Sequence, residues 1–403
     1  MKNINLKILL LFFILLVMII SHLLYIYTVT STLTEDPFLF TKKQAIAYFI
    51  IILSLLLVEF FIIRRIEKYS NKEKLIKNVI FFLFLISSTI AISLQILPLS
   101  YSYEINGVKR WLHLGFFNLA PIELMKITIV YFIANYYTQK ENLSKDSIID
   151  KKAVMFYVGV TVLISAVFLK DLGSSVIIFS LLMIFIYLLS EKRKPIFQLI
   201  GIGFIGIITL ILLFPYRIRR ISSWFYSEDG AGYQISQGYF AISEGLRQNL
   251  ITGSGYLNGV MKQGYIPEVQ TDMVLPVLIS ELGILGYVIY LSLMTICFLS
   301  IFIFLKSNKN MISYNLALLF MFTTILSALM NFLGVVGLIP FKGITVPFLS
   351  YSGSNTIFNL GMIYLIIKFN KFDNIRNSRE LEEKKAHEAM KHAWQRNIKK
   401  GKK

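Results

Sequence analysis

The sequence predicts an all-α, polytopic membrane protein with about ten transmembrane helices. Of its 403 residues, 56% are hydrophobic and only 16% are charged, whereas soluble domains carry about 25% charged residues. The chain also contains ten separate runs of 15 or more mostly apolar residues, and about 20 such residues in a helix cross the hydrocarbon core of a bilayer. These observations exclude a large soluble enzyme.

The first apolar run, at about 8–29, follows Lys2 and Lys7 in the manner of a signal peptide. It is too long for the apolar core of such a peptide and lacks a small-residue cleavage site, so we expect a retained first span. The run at 273–305 is long enough to tilt or to extend beyond the bilayer. The other predicted spans lie at about 44–63, 78–97, 121–137, 153–169, 174–190, 196–214, 312–335 and 353–369.

The distribution of charge predicts the orientation. An even number of spans puts both termini on one side, and most of the 41 lysines and arginines fall on that side. Because positively charged loops face the cytoplasm, we expect a cytoplasmic (inner) membrane protein with both termini inside and the polar segment 215–272 outside. The net charge of +18 is then mainly topological, and no nucleic-acid partner is expected.

The chain divides into a transmembrane domain at 1–369, with the extracytoplasmic loop 215–272 between helices 7 and 8, and a basic cytoplasmic tail at 370–403. Glu380 in the tail lies within helical spacing of Lys384, which favours a solvated helix. We expect a solvated or disordered tail, and a tail that binds a partner or anionic lipid is the alternative. The only cysteine, Cys297, and four dispersed histidines provide neither a disulfide framework nor a zinc site. No phosphate-binding glycine loop is present, so ATP-driven chemistry is not expected.

The loop 215–272 is the long polar segment between two apolar runs, and loops on a rigid scaffold often carry chemistry. Its arginines, Arg217, Arg219 and Arg220, suit a diphosphate, and they equally suit lipid headgroups. Apolar residues within 235–242 predict a short helix that lies on the membrane surface. The loop ends at Thr271-Asp272. This pair suits a helix start, with Thr271 as the cap, and Asp272 equally suits a general base.

Three further polar segments adjoin predicted spans. Pro121 suits a first helical turn, and Glu123 and Lys126 then share one face, either as a neutralising pair or as a cavity wall, which we favour. Asp171 is interpreted as the cap of the sixth span. The segment 338–355 combines prolines and glycines at membrane depth, where irregular backbone is tolerated only in contact with protein or a cavity, so we expect a cavity wall.

In chain order, the segments 106–111, 119–126, 170–175, 265–272 and 338–355 resemble motifs of the SEDS family of shape, elongation, division and sporulation proteins, typified by RodA, FtsW and SpoVE. The resemblance covers spans three to ten. The variants at 119–123 and 271–275 are more similar to the division type, FtsW. Departures are Gln270 in place of the family's His, Ala120 and Ile122 beside Pro121, and Ser352 and Asn355 in a Gly-Gly-Ser-Ser run.

The resemblance implies a peptidoglycan glycosyltransferase that polymerises lipid II and releases undecaprenyl diphosphate, with Asp272 at the position of the family's catalytic carboxylate. Asp272 would deprotonate the attacking hydroxyl. Candidates for holding the diphosphate are Arg110 and the cluster Arg217, Arg219 and Arg220, with a divalent cation, Mg²⁺ or Mn²⁺, as an additional candidate cofactor. A cavity bounded by Glu123, Lys126 and Ser350 would admit the lipid-linked sugar.

The family also implies a class B penicillin-binding protein (a transpeptidase) as partner, together with divisome or elongasome proteins. Two other functions stay open at this point. One is a lipid II flippase, since ten spans with buried polar residues also suit transport. The other is a non-catalytic scaffold for the penicillin-binding protein.

Overall fold

The computed structural model describes residues 2–67, 69, 72–98, 101–105, 108–115, 118–141, 151–189, 194–225, 230–259, 269–305, 311–340 and 343–400. Its helices are α1 (Lys2–Thr30), α2 (Leu39–Val58), α3 (Arg64–Ile66), α4 (Lys72–Ser93), α5 (Pro121–Glu141), α6 (Lys151–Leu163), α7 (Leu172–Leu189), α8 (Lys194–Leu213), α9 (Pro215–Phe225), α10 (Gly230–Gln248), α11 (Val274–Phe304), α12 (Ile312–Val335) and α13 (Gly353–Lys400). Two π-helical turns, Glu59–Ile63 and Ile164–Phe168, continue α2 and α6.

Each of the ten predicted spans coincides with one of these helices, which confirms the prediction of an all-α, polytopic membrane protein. Five of the helical segments are long and apolar enough to cross a bilayer: Leu6–Thr30, Leu39–Ile66, Lys74–Ser93, Val274–Phe304 and Ile312–Val335. Three apolar helices are shorter: Lys152–Phe168, Leu172–Tyr187 and Phe197–Leu213. Large apolar side chains are exposed along α1, α2 and α8, as expected of faces that contact lipid.

The centre of the bundle is formed by α5, α12 and α13, each of which packs against the other two. Nearly every residue of α5 between Pro121 and Ala134 is buried, and the side chains of Met125, Ile129 and Phe132 are almost fully enclosed. The structure confirms the predicted start of α5 at Pro121. Proline suits this position because it is pre-organised for the first helical turn and has no amide hydrogen to leave unpaired there. Polar groups carried by α5 therefore lie inside protein.

A small antiparallel sheet, which the sequence did not predict, joins α4 to α5. Its strands are β1 (Ser102–Ile105), β2 (Val108–His113) and β3 (Asn118–Leu119), in the order β1-β2-β3. Tyr103 pairs with Trp111 and Glu104 with Lys109, so Arg110 is the extra residue of a bulge. A bulge redirects the side chain that it carries.

The predicted surface helix within 235–242 is replaced by the longer α10, which packs lengthwise against α11. A Cβ at Gly238 would contact Met273 and Pro276, and a Cβ at Gly245 would collide with the backbone of Ser280. As α10 advances, it therefore contacts successively later turns of α11, and the two helices run in the same direction at close range. A helix of polar sequence can pack along a membrane-length helix in this way, because its backbone N–H and C=O groups form hydrogen bonds within the helix.

α11 is interrupted at Gly283, whose φ of 61° and ψ of −154° are accessible mainly to glycine. The segment 250–255 fills the interruption by exchanging backbone hydrogen bonds with α11. The amides of Ile284 and Leu285 donate to the carbonyls of Leu250 and Ile251 at 3.2 and 3.0 Å. In return, Ser254 and Gly255 donate to Ser280 and Glu281 at 2.9 and 3.0 Å. We name this arrangement the 250–255 clasp.

At the C-terminal end, α13 continues without interruption through the predicted tail as far as Lys400, so this part of the chain is helical.

Candidate active site

Asp272 lies just before α11, in a turn and not in the helix. The helix begins at Val274, and the residue at its N-cap, Met273, makes no side-chain capping bond. The prediction that Thr271 caps this helix is therefore wrong. The segment 260–268, which includes the predicted motif residues up to Glu268, lies outside the described residues.

The segment that follows α12 packs directly on this turn. A Cβ built on Gly343 would collide with the carboxylate of Asp272. The buried amide of Asn331, near the end of α12, donates to the carbonyl oxygens of Asp272 and Ile344 at 2.8 and 2.7 Å. The amide of Tyr351 donates to the carbonyl of Gln270 at 2.8 Å. Asp272 is thus held against the segment 343–351.

The described part of 338–355 that precedes α13 has no helix beyond short turns, as its prolines and glycines predicted. Phe348 adopts a positive φ of 56°, a conformation that is costly for an aromatic residue and therefore needs support from its surroundings. Ser350 is buried and its hydroxyl accepts a hydrogen bond from the amide of Val346 at 2.8 Å. Ser350 therefore shapes this turn.

Two residues of the first two spans support the same turn and were not singled out in the sequence. His22 of α1 lies 3.0 Å from the carbonyl of Ser350 through Nε2 and 2.7 Å from the hydroxyl of Tyr48 through Nδ1. Since a carbonyl only accepts, Nε2 carries the proton and Nδ1 accepts from Tyr48. Gln44 of α2 accepts from the amide of Ser352 and donates to the hydroxyl of Thr356. No sequence motif surrounds His22 or Gln44, because each acts across more than 300 residues of chain.

The two departures from the family pattern near the start of α13 are both engaged. Ser352 contacts Gln44 through its amide, as described above. The side-chain amide of Asn355 donates to the hydroxyl of Thr345 at 2.6 Å and its oxygen accepts from Asn359 at 2.7 Å. These bonds tie the irregular segment to α13, so both substituted residues contribute to its structure.

Glu123 and Lys126 form an ion pair of 2.7 Å on α5, with both side chains buried, which confirms that they share one face. The ammonium of Lys126 also lies 4.7 Å from the ring centroid of Phe358 on α13, a favourable cation–π distance. The pair therefore faces α13, the helix that begins where the segment next to Asp272 ends.

The arginines that were predicted to hold a diphosphate do not all have the same kind of environment. Arg110 donates to the carbonyls of Leu169 and Lys170, each at 2.9 Å, and the buried Arg217 donates to the carbonyl of Ala166 at 2.5 Å. These carbonyls lie at the end of α6 and its π-helical turn, where backbone acceptors lack helical partners and the helix dipole favours cations. Arg219 is exposed on α9, and the side chain of Arg220 lies outside the described residues.

Asp171 follows this helix end and caps the next helix, as predicted. Its carboxylate accepts from the amide and from the hydroxyl of Ser174, each at 2.9 Å. Arg110, Arg217 and Asp171 therefore fix the connection between α6 and α7.

Within the described ranges, no group of three His, Cys, Asp or Glu side chains lies close enough to hold a metal ion. Mg²⁺ is often held by only one or two protein carboxylates together with substrate phosphates, and Asp272 could supply one such carboxylate. The residues described around Asp272 are therefore compatible with a cation that is held partly by a diphosphate.

A second ionic cluster lies at the far end of α11 from Asp272. Lys368 of α13 contacts Glu59 at 2.6 Å and Glu67 at 2.7 Å, and Lys371 contacts Glu67 at 3.1 Å. Lys368, Lys371 and Glu59 also line a cavity of about 690 Å³ that includes Phe304 at the end of α11. The 31 residues of α11 separate this cluster from Asp272 by about 45 Å at 1.5 Å per residue.

Comparison with known proteins gives consistent matches along most of the chain. The profile of the family described as cell cycle protein, which is named for FtsW, RodA and SpoVE, matches residues 1–375. A probable peptidoglycan glycosyltransferase FtsW from Wigglesworthia glossinidia brevipalpis is 30% identical over 344 residues, which cover 83% of this chain and 85% of the relative. The FtsW of Escherichia coli O157:H7, described in the same words, is 28% identical over 353 residues, which cover 83% of this chain and 78% of that protein.

Two solved structures have the same fold. A chain from a study of how a peptidoglycan synthase complex coordinates polymerisation and crosslinking superposes with a TM-score of 0.60 at 20% identity, covering 88% of this chain and 96% of its own. The rod shape determining protein RodA of Thermus thermophilus superposes with a TM-score of 0.58 at 18% identity, covering 89% and 95%. Together with the match over residues 1–375, these findings show that the chain belongs to the FtsW, RodA and SpoVE family of cell cycle proteins.

Proposed function

We propose that this protein is a peptidoglycan glycosyltransferase that polymerises lipid II into glycan strands and uses Asp272 as its general base. Similarity to proteins named as FtsW glycosyltransferases over 83% of the chain supports the activity. The single observation that carries the choice of base is the tight packing of Gly343 on the Asp272 carboxylate, which gives that carboxylate a defined position.

In the proposed reaction, the carboxylate of Asp272 accepts the proton of the C4 hydroxyl of the incoming lipid II sugar. The hydroxyl oxygen forms a bond to C1 of the lipid-anchored strand, and the bond from C1 to the diphosphate oxygen breaks with inversion. The electron pair of that bond leaves with undecaprenyl diphosphate. An inverting transfer of this kind needs one base and a stabilised leaving group.

Stabilisation of the leaving diphosphate falls mainly to Arg219 and Arg220, since Arg110 and Arg217 already bind backbone carbonyls at the end of α6. A divalent cation, Mg²⁺ or Mn²⁺, bound with the diphosphate would add charge stabilisation there. The buried pair Glu123 and Lys126, with Ser350, would line the path by which the lipid-linked sugar enters from the bilayer.

Orientation and partnership complete the proposal. The positive-inside rule puts both termini in the cytoplasm and Asp272 at the outer face of the cytoplasmic membrane, where lipid II is polymerised. A class B penicillin-binding protein is the proposed partner, because a structural relative comes from a complex that couples polymerisation to crosslinking.

The test is polymerisation of purified lipid II by the detergent-solubilised protein with its penicillin-binding partner, with Mg²⁺ or Mn²⁺ supplied, comparing the wild type with Asp272→Asn. The control is Asp36→Asn. This change removes an exposed carboxylate of the loop between α1 and α2, which pairs with Lys42 at the start of α2. Polymer from the wild type and the control, and none from Asp272→Asn in an intact complex, is expected.

Equal polymer from Asp272→Asn would remove this residue from the chemistry. No polymer from the wild type under any of these conditions would contradict the glycosyltransferase activity. Lipid II reorientation without consumption would then identify a flippase, and retained partner binding alone would identify a scaffold.

A further inference from the structure

Asn331 provides a connection between Asp272 and the segment that packs on it. The side chain is fully buried near the C-terminal end of α12. Its amide nitrogen lies 2.8 Å from the carbonyl oxygen of Asp272 and 2.7 Å from that of Ile344. These two acceptors belong to segments that are 72 residues apart in the chain.

The orientation of the Asn331 amide follows from its partners. Both partners are carbonyl oxygens, which only accept, so the nitrogen must face them and both of its hydrogens are used. The side-chain oxygen of Asn331 is buried and has no hydrogen-bond partner among the described residues. Burying an acceptor without a partner costs free energy. Asn331 therefore forms hydrogen bonds with both hydrogens of its amide, while its buried side-chain oxygen has no partner among the described residues.

The two hydrogen bonds of Asn331 act at the point where Gly343 contacts the Asp272 carboxylate. One bond holds the backbone of Asp272 and the other holds Ile344, the residue after Gly343. A second connection, from the amide of Tyr351 to the carbonyl of Gln270, closes the other side. The Asp272 side chain extends from a backbone that is fixed on both sides.

We propose that Asn331 is a positioning residue for the transfer reaction, which holds the Asp272 carboxylate in place for proton removal by tying Asp272 to Ile344. The proposal rests on the proposed function of Asp272 as the base. Asn331 is fully buried and bonds to the backbone of Asp272, so it acts on the reaction through Asp272. A displacement of about 1 Å at a reacting group can reduce the rate about 100-fold, so the loss of this connection acts mainly on kcat.

The experiment measures kcat and KM for lipid II polymerisation by the complex with the penicillin-binding partner. Asn331→Leu keeps the approximate volume and removes both donors. The matched control is Asn315→Leu, a buried asparagine on the same helix that donates to Thr138 at 2.8 Å. It lies 16 residues earlier, about 24 Å along α12. If Asn331→Leu does not fold, Asn331→Ser takes its place.

We expect kcat to fall about 10- to 100-fold for Asn331→Leu, with KM changed by less than about 2-fold. Asn315→Leu should retain the wild-type kcat per folded molecule. A rise in KM at unchanged kcat, or equal losses in the two variants, would overturn the positioning role.

A double-mutant cycle adds a measurement that a purely structural role would not affect. Asn331→Leu and Gly343→Ala both displace the same contact, so their effects on kcat should be less than additive, whereas Asn315→Leu and Gly343→Ala should be additive. Additivity in both cycles would also overturn the proposal. If Asp272→Asn retains activity, the assignment of the base fails. If Asp272→Asn is inactive and Asn331→Leu has the wild-type kcat, only the positioning role fails.

Discussion

Gly343 lies so close to the carboxylate of Asp272 that no side chain fits between them. The backbone at Gly343, in the segment after α12, thereby packs directly on the carboxylate of Asp272, in the turn before α11. A glycine is needed because any Cβ at this position would occupy the volume of a carboxylate oxygen.

The first prediction follows from this contact. Gly343→Ala should lower the rate of lipid II polymerisation about 10- to 100-fold, since the added methyl group must displace the carboxylate from its reactive position. The control is Gly206→Ala on α8, where an added Cβ meets no atom within 4 Å. Wild-type polymerisation by Gly343→Ala would show that the position of this carboxylate does not limit the reaction.

The second prediction concerns the buried ion pair on α5. Lys126→Met should lower the free energy of unfolding by about 3–5 kcal/mol, because it leaves the Glu123 carboxylate buried and unpaired. The double variant Glu123→Gln with Lys126→Met should recover much of this loss. Thermal unfolding in detergent measures both. A double variant no more stable than Lys126→Met would argue against the pairing.

The third prediction concerns the support of the Ser350 turn from the first two spans. Tyr48→Phe removes the hydroxyl that, among the described residues, donates to the buried Nδ1 of His22, and it should cost about 1–3 kcal/mol of unfolding free energy. Tyr256→Phe is the control, because Tyr256 is a half-exposed tyrosine that accepts from Thr28, and it should change stability by about 0.5 kcal/mol or less. Equal melting temperatures for the two variants would contradict the importance of the His22 contact.

The fourth prediction concerns Lys368 at the far end of the bundle. Lys368→Met should cost about 1.5–3 kcal/mol, the range for hydrogen bonds to charged groups. Lys371→Met, which removes an exposed lysine that pairs with the same Glu67, should cost about 1 kcal/mol or less. Chemical unfolding of the two variants in detergent compares them directly, and a larger loss for Lys371→Met would contradict the central position of Lys368.

The same cluster predicts a pH dependence. Burial alone would raise the pKa of the Glu67 carboxyl, but hydrogen bonds from Lys368 and Lys371 lower the pKa below its usual value. The stabilisation is therefore present above the unfolded pKa of about 4.3 and is lost as the pH falls through the lower folded pKa. Melting temperatures of wild type and Lys368→Met should converge at acidic pH.

The sequence was sufficient for the ten membrane spans and for the local pairs of the site, but not for α9 or for the full length of α10. A run of about 20 apolar residues has few alternatives to a membrane helix, so all ten spans coincide with helices. Glu123 and Lys126, three residues apart on α5, and Asp171, three residues before Ser174, were equally predictable. Each of these contacts lies within one helical turn, where spacing along the chain determines distance in space.

Contacts between distant segments were not predictable. His22 reaches Ser350 and Asn331 reaches Asp272 only after the helices have packed, and nothing in the local sequence indicates either contact. The same limit explains Arg217, which was expected to face a diphosphate or lipid headgroups and instead binds the carbonyl of Ala166. The C-terminal end of a helix binds cations, and so does a phosphate. An arginine near a span therefore has two kinds of partner that sequence alone does not distinguish.

The 250–255 clasp makes this part of the chain intolerant of changes in length. Its four backbone hydrogen bonds join fixed positions on both sides of Gly283, so adding or removing one residue would shift every donor away from its acceptor. The other side chains in the clasp can vary more freely, because these bonds use only the backbone. Gly253 and Gly255 are exceptions, since their φ values are 64° and 91° and a Cβ at Gly253 would collide with the carbonyl of Ser280. In comparisons among relatives, the spacing between Leu250 and Gly255 should therefore be preserved, together with the two glycines, even where the other residues differ.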